Sequence, residues 1–176
     1  LATVRLAHWR QAEPEQQAVF EAAIEKARSA GAIVEALEPT ELDRDAWQAI
    51  NTILACEAAL IFDSLVERFP DRTSGHLKSL VQTGKAHSAL EYLSAKAFQE
   101  QQRTAFAAQL SGFDAVLTLP AFGEAPEGLS FTGNAECCAP WTLIGAPALA
   151  LPAGFGKRGL PLALQVVGAW RQDETM

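Results

Sequence analysis

Two short apolar runs near the end of the chain, residues 148–151 and 162–167, constrain its fold most strongly. Each run is bounded by proline, and the segment GFGKRG joins them. Uninterrupted apolar runs of this length between turn residues are typical of buried β-strands. We therefore expect a hairpin of two buried strands. Gln165 is the one polar residue inside the second strand, and a buried amide there needs hydrogen-bond partners.

The first forty residues predict a strand, a helix and a second strand. TVRLAHW (3–9) and AIVEAL (32–37) are strand-like, Pro14 suits the first turn of a helix, and Gly31 is placed to end it. Such a unit implies two parallel strands. Many of these units bind dinucleotides through glycines that follow the first strand. Residues 8–13 contain no glycine, so we expect no nucleotide cofactor.

The middle of the chain is predicted to be helical. Thr40 and Asp43 form a capping box at the start of the first long helix. One apolar stripe of that helix consists of Trp47, Ile50, Leu54, Ile61 and Leu65. Glu57 lies on the same face, so we expect it to pair with an arginine or with backbone amides; a catalytic acid is the weaker interpretation.

A second long helix is predicted over residues 84–110. The residues expected to face the core are Ala86, Leu90, Leu93, Ala97 and Phe98. His76 and His87 fall on different predicted elements, and no third ligand clusters with them. We therefore expect no metal site.

The composition argues against several classes of function. The formal net charge of −7 opposes sequence-independent binding to nucleic acid or to an anionic membrane surface. No stretch approaches the roughly eighteen uninterrupted apolar residues of a membrane span. Three cysteines, two of them adjacent, do not form a disulfide framework, which fits a reducing compartment. We expect a cytoplasmic protein whose partner is a small molecule or another protein.

An ordered series of motifs fills the last third of the chain. FDAVLTLP (113–120) is followed by WTLIGAPALALPAGF (141–155) and then by GLPLALQVVG (159–168), with Asp173 shortly afterwards. This series, in this order and spacing, resembles the carboxy-terminal block of the amidase signature family. Upstream, the strand, helix and GAIVEAL arrangement and the long helix with Glu57 also resemble that family, so the resemblance covers nearly the whole chain.

The resemblance implies an α/β fold with a mixed, twisted sheet covered by helices. It implies that residues 1–176 are a single domain that forms the carboxy-terminal part of a larger amidase-like domain. The family hydrolyses carboxylic amides with a Ser, cis-Ser, Lys triad and a glycine-rich oxyanion loop. No such glycine and serine-rich run occurs here, and the five lysines stand in surface-like contexts. We expect no catalytic residue in this chain and no activity from it alone.

The substrate in the complete enzyme is then a small-molecule amide, and this segment supplies scaffold and one wall of the pocket. Small or apolar residues on loops near strand ends are the candidates for that wall. They are Ala121, Phe122, Phe131, Thr132, Gly133, Cys138 and Trp141. For Phe122 and Trp141, core packing is an equal alternative. Cys138 is the one rival nucleophile, but the three histidines lie far from it in sequence.

Two functions remain open from the sequence. The chain is either the carboxy-terminal part of an amidase or a stand-alone, amidase-derived domain used for binding or assembly. It begins with Leu1 and stops at DETM, where a helix is predicted to start, and this favours the first interpretation. A chain cut from a larger sheet exposes strand edges, so we expect a homo-oligomer. The sequence does not separate a free amidase from a component of an ammonia-transferring complex.

Overall fold

A five-stranded mixed sheet forms the centre of the computed structural model, which describes residues 1–38 and 41–175. The strands are β1 (Ala2–Val4), β2 (Glu35–Leu37), β3 (Val116–Thr118), β4 (Ala148–Phe155) and β5 (Pro161–Val167). Their order across the sheet is β2-β1-β3-β5-β4. β1 is parallel to β2 and β3, whereas β5 is antiparallel to β3 and β4. The predicted mixed α/β fold is confirmed.

Helices pack around this sheet. They are α1 (Pro14–Ser29), α2 (Glu41–Arg68), α3 (Gly75–Ala86), α4 (Ala89–Gln109) and α5 (Ala139–Ile144). α1 connects β1 to β2 and packs against β4 and β5. α5 packs against α2 and α4, and its Trp141 shares the core with Val4 of β1. The predicted strand, helix and strand at the start of the chain are confirmed. Thr40 lies outside the described residues, as does the side chain of Asp43, so the predicted capping box is not described.

A buried glutamine joins α1 to the hairpin. Gln16 is 1% exposed, and its Nε2 donates a hydrogen bond of 2.8 Å to the carbonyl of Ala163 in β5. Pro152 stands opposite Ala163 in the sheet and has no amide hydrogen to donate. The Gln16 side chain therefore supplies a donor to a strand carbonyl whose cross-strand neighbour cannot, and in doing so fixes α1 on the sheet.

The face of α2 that packs against the rest of the protein differs from the predicted one. Leu54, Ile61 and Leu65 of the expected core stripe are exposed. The buried residues of α2 are Leu42, Ala46, Ala49, Ile53, Ala55 and Ala58. Alanines dominate this buried face because α3 approaches closely, and a bulky stripe would hold the helices apart.

The predicted helix over residues 84–110 is wrong in its boundaries and in its core face. α3 ends at Ala86, and Ser88 caps the new helix α4 by accepting a hydrogen bond from the Glu91 amide while the Glu91 carboxylate accepts one from the Ser88 amide. Leu90 and Leu93, expected in the core, are exposed. The buried residues of α4 are Ala95, Gln102 and Phe106. The capping box resets the helix phase, so a periodicity that continues across it points to the wrong face.

Glu57 is exposed, contrary to the expectation of a buried carboxylate. Its Oε1 accepts a hydrogen bond of 3.1 Å from the Tyr92 hydroxyl of α4. This bond raises the pKa of Tyr92, because the neighbouring carboxylate disfavours a phenolate. The partner is thus a tyrosine, and neither an arginine nor a backbone amide.

Within α2, the stretch Asp45–Arg68 is long and apolar enough to cross a membrane when judged by length and composition alone. The search for uninterrupted apolar runs predicts no stretch of that kind. In this structure α2 packs against α3, α4 and α5, and core helices of soluble proteins pass the same test. A single such helix is weak evidence for a membrane span.

The contact between α2 and α3 depends on a glycine. A β-carbon added at Gly84 would overlap the carbonyl oxygen of Ala55 and the side chain of Ala59. We expect Gly84→Ala to destabilise the protein by about 1–3 kcal/mol, because overpacking outweighs the gain in helix propensity. Gly75→Ala in the same helix is the matched control, since its added methyl meets nothing within 4 Å. Urea unfolding of both variants checks this; equal stabilities would contradict it.

β4 is an edge strand, which corrects the prediction that both hairpin strands are buried. β5 lies between β3 and β4, whereas β4 pairs with β5 alone among the described strands. Leu149, Leu151 and Phe155 of β4 are exposed. An exposed apolar edge of eight residues offers unpaired backbone groups to another chain.

We expect residues 1–176 to form dimers or larger species in solution through this edge. Leu151→Lys should raise the monomer fraction, because a charged side chain on an edge strand opposes strand addition. Leu129→Lys, on a fully exposed loop position, is the control and should leave the size distribution unchanged. Light scattering after size-exclusion chromatography gives the masses. A monodisperse wild-type monomer would contradict the expectation.

Candidate substrate groove

A groove of about 610 Å³ lies where the chain leaves the carboxyl ends of β1 and β3. The two strands are parallel, so the segments that follow them emerge at the same edge of the sheet. The lining residues are Gln11, Glu13, Pro120, Ala121, Phe122, Gly123, Glu124, Ala125, Pro126, Phe131, Thr132, Gly133, Asn134, Ala135 and Pro161. Ligands of open α/β sheets bind at this kind of position.

Five of the seven residues predicted to contact a substrate line this one groove. They are Ala121, Phe122, Phe131, Thr132 and Gly133. They come from two separate loop segments, which the strand-end argument placed at one edge without fixing their distance. That they contact a substrate stays a prediction.

Cys138 and Trp141 are not among the lining residues of the groove. Trp141 is 3% exposed, and its ring centroid lies 5.4 Å from that of Phe106 in α4. This is the core packing that the sequence left open for Trp141. Cys138 is half-buried at the start of α5, and its Sγ donates a hydrogen bond of 3.4 Å to the Pro120 carbonyl.

A buried carboxylate holds the groove loop against the hairpin turn. The side chain of Glu124 is 3% exposed. Its Oε1 accepts hydrogen bonds from the amides of Arg158 (3.0 Å) and Leu160 (2.9 Å), and its Oε2 accepts one from Arg158 Nε (2.9 Å). Arg158 Nη2 also donates to the Ala125 carbonyl at 2.6 Å. The loop that carries Ala121 and Phe122 is therefore anchored to the β4–β5 turn at several points.

Burial alone would raise the pKa of Glu124, but hydrogen bonds from the Arg158 side chain and from the Leu160 and Arg158 amides outweigh burial and lower it. Gly156 makes room for this carboxylate, because a β-carbon there would overlap it. The sequence contains little sign of this role. Glu124 lies in a loop rich in glycine and proline, and its partners are more than thirty residues away.

The described residues show no nucleophile and base arrangement of the kind that the family uses. Burial raises the pKa of the Cys138 thiol despite a hydrogen bond with Gln165, and burial raises that of Cys137 to about 12. A lysine base needs a lowered pKa, yet hydrogen bonds to Asp63 and Glu15 raise the pKa of Lys85 and Lys157. Within residues 1–38 and 41–175, no group of three potential metal ligands comes together.

Two polar side chains stand side by side beneath the loop after β3. Thr118 and Gln165 face each other across β3 and β5, and both are buried. Gln165 is hydrogen-bonded to the Cys138 thiol, but within the described part of the chain its Oε1 and Thr118 Oγ1 have no partner. The expectation that Gln165 needs partners is therefore met for one end of its amide.

Solved structures of similar fold define the class of protein. A crystal structure of an amidase is 25% identical with a TM-score of 0.86, and the match covers 98% of this chain and 42% of that one. Fatty acid amide hydrolase matches with a TM-score of 0.79 at 15% identity, over 99% of this chain and 37% of that one. A bacterial aryl acylamidase of the amidase signature enzymes matches with a TM-score of 0.75 at 15% identity, over 98% of this chain and 40% of that one.

The sequence model of the family described as Amidase matches residues 1–176, and the chain belongs to that family. Shorter matches link it to one of the subunits of glutamyl-tRNA(Gln) amidotransferase, the one designated A. The protein from Brevibacillus brevis is 45% identical over 40 residues, which are 23% of this chain and 8% of that protein. The one from Wolbachia sp. subsp. Brugia malayi is 41% identical over 58 residues, 32% and 12% respectively. The chain thus spans well under half the length of the structures it matches.

We expect Glu124→Gln to loosen the groove loop and lower the urea midpoint, because one carboxylate oxygen becomes an amide group that faces donors. The folded pKa lies below the ordinary 4.5, so the stabilisation is complete above about pH 5 and is lost as the pH falls through the folded pKa. The difference between wild type and variant should shrink on acidification. Glu127→Gln, an exposed carboxylate on the same loop, is the control. A constant difference down to about pH 3 would contradict this account.

Proposed function

We propose that this chain forms the scaffold and one wall of the substrate pocket of an amide hydrolase. The observation that carries the proposal is the groove, since five residues chosen from the sequence alone line it. It is supported by membership of the Amidase family over the whole chain. An apolar groove with a few polar side chains, at the edge of a sheet, suits a small organic amide.

The proposed chemistry is serine acyl transfer. A serine oxygen attacks the amide carbonyl, the amine leaves with a proton delivered by the base, and water then releases the acid from the acyl-enzyme. The described residues offer no base with a lowered pKa and no activated thiol, so we propose that the chemical groups lie elsewhere in the complete protein. Residues 1–176 alone are then inactive.

Relatives with two kinds of activity in their names are similar to this chain. One is an aryl acylamidase and the other belongs to an amidotransferase. We propose a free amidase that acts on small-molecule amides, because the groove is mainly apolar and neither of its long segments has a cationic side chain in the lining. We further propose that the protein works in the cytoplasm and as a homo-oligomer.

Phe131→Ala in the complete protein tests the groove as a substrate wall. The Phe131 side chain is 59% exposed, so its loss should leave the melting temperature unchanged. We expect kcat/KM for aromatic amides to fall about tenfold, with less effect on small aliphatic amides, because a hydrophobic contact with the substrate is lost. Leu129→Ala is the control, since Leu129 is fully exposed and does not line the groove. Unchanged substrate preference in a stable variant would count against the proposal.

A further inference from the structure

We propose that this groove favours amide substrates whose groove-bound part carries a positive charge, and that Glu13 recognises this charge. The inference rests on the proposed function, because it takes the groove as the place where a substrate lies. The chemical class is an amide that bears an ammonium group near an aromatic or other apolar part. Anionic amides are disfavoured at the same place.

The charges that line the groove are negative. Among the described residues that form its wall, the ionisable ones are Glu13 and Glu124, and no lysine, arginine or histidine is present. Glu124 is already neutralised by the guanidinium of Arg158 at 2.9 Å. Glu13 is left as the net charge of the lining, and a carboxylate in a concave surface attracts cations and repels anions.

The nearest cations do not cancel this charge. Lys157 forms its ion pair with Glu15 at 2.6 Å, although Glu13 also lies within its electrostatic reach. Together with the Glu124 and Arg158 pair, the group contains three carboxylates and two cations. One negative charge therefore remains at this side of the groove.

The backbone on both sides of Glu13 fixes its position. Its amide donates a hydrogen bond of 2.6 Å to the Phe122 carbonyl, and its Oε2 accepts one of 3.3 Å from the Glu124 amide. The carboxyl group lies over Gly123, where a β-carbon would overlap it. Within the part of the chain that the structure describes, no donor reaches Oε1. That oxygen is available to a ligand, on a side chain that needs little reordering to bind it.

Aromatic and polar groups complete a surface that suits a cation with an apolar body. Phe131 is exposed and Phe122 is half-buried in the same groove, and the faces of aromatic rings attract ammonium groups. Gln11 and Thr132 line the groove as well and carry oxygen atoms that can accept hydrogen bonds from an ammonium group. A carboxylate ligand would find amide and hydroxyl donors there but no cation.

The test compares three benzamides with nearly equal shape in the complete protein. They carry a para aminomethyl, hydroxymethyl or carboxylate group and are therefore cationic, neutral and anionic at about pH 7. We expect kcat/KM to be about three- to fivefold higher for the cationic than for the neutral amide, and lower again for the anionic amide. High salt should reduce these ratios, because screening weakens partly exposed charge pairs.

Glu13→Gln should bring the ratio of cationic to neutral substrate close to one, and Gly123→Ala should do the same by displacing the carboxyl group. Glu127→Gln removes an exposed carboxylate that does not line the groove, and is expected to leave all three rates unchanged. Equal rates for cationic and neutral amides in the wild type would overturn the proposal. So would a wild-type preference for the cationic amide that persists in Glu13→Gln.

A second measurement separates this inference from the proposed function. Benzylammonium and benzyl alcohol are titrated into residues 1–176, and the amide signals of Gly123 and Gly133 are followed by NMR. Preferential shifts with the cation that vanish in Glu13→Gln support the charge selection even if no benzamide is hydrolysed, in which case the proposed function alone fails. Hydrolysis of benzamides without any charge preference, and equal shifts with both probes, would overturn the inference alone.

Discussion

The buried carboxylate of Glu124 is the interaction on which the shape of the groove depends. It gathers the amides of Arg158 and Leu160 and the Arg158 guanidinium onto one loop that has almost no regular structure of its own. A loop of this kind has high conformational entropy, and only specific, charge-assisted hydrogen bonds hold it in one conformation. The hairpin turn that supplies the donors is rigid because β4 and β5 pair along most of their length. The wall of the groove is thereby an extension of the sheet.

The parts of the fold that were predicted from sequence are those with local causes. Proline and glycine around the last two apolar runs produced the hairpin, and Pro14 and Gly31 marked the ends of α1 closely. The strand-end rule brought the segments around Phe122 and Phe131 to one edge of the sheet, because parallel strands present their carboxyl ends together. Each of these inferences needs a few neighbouring residues and a general geometric rule.

The parts that were not predicted depend on partners distant in sequence. The stripe of Leu54, Ile61 and Leu65 looked like a core face, yet periodicity shows only that a face is apolar and not which neighbour covers it. Glu124 could not be recognised because its meaning comes from a turn more than thirty residues away. The break before Ser88 had a local signal, since Ser88 and Glu91 have the spacing of a capping box.

The small residues between α2 and α3 have an evolutionary consequence. The position of α2 is fixed by alanines and by Gly84, whereas Leu60 (86% exposed) and Ile61 (63% exposed) point away from that contact. Substitutions on the outer face therefore leave the packing of the helix untouched. The two faces can change independently, so the outer surface of α2 is free to diverge among descendants of this chain while the sheet and the groove keep their geometry.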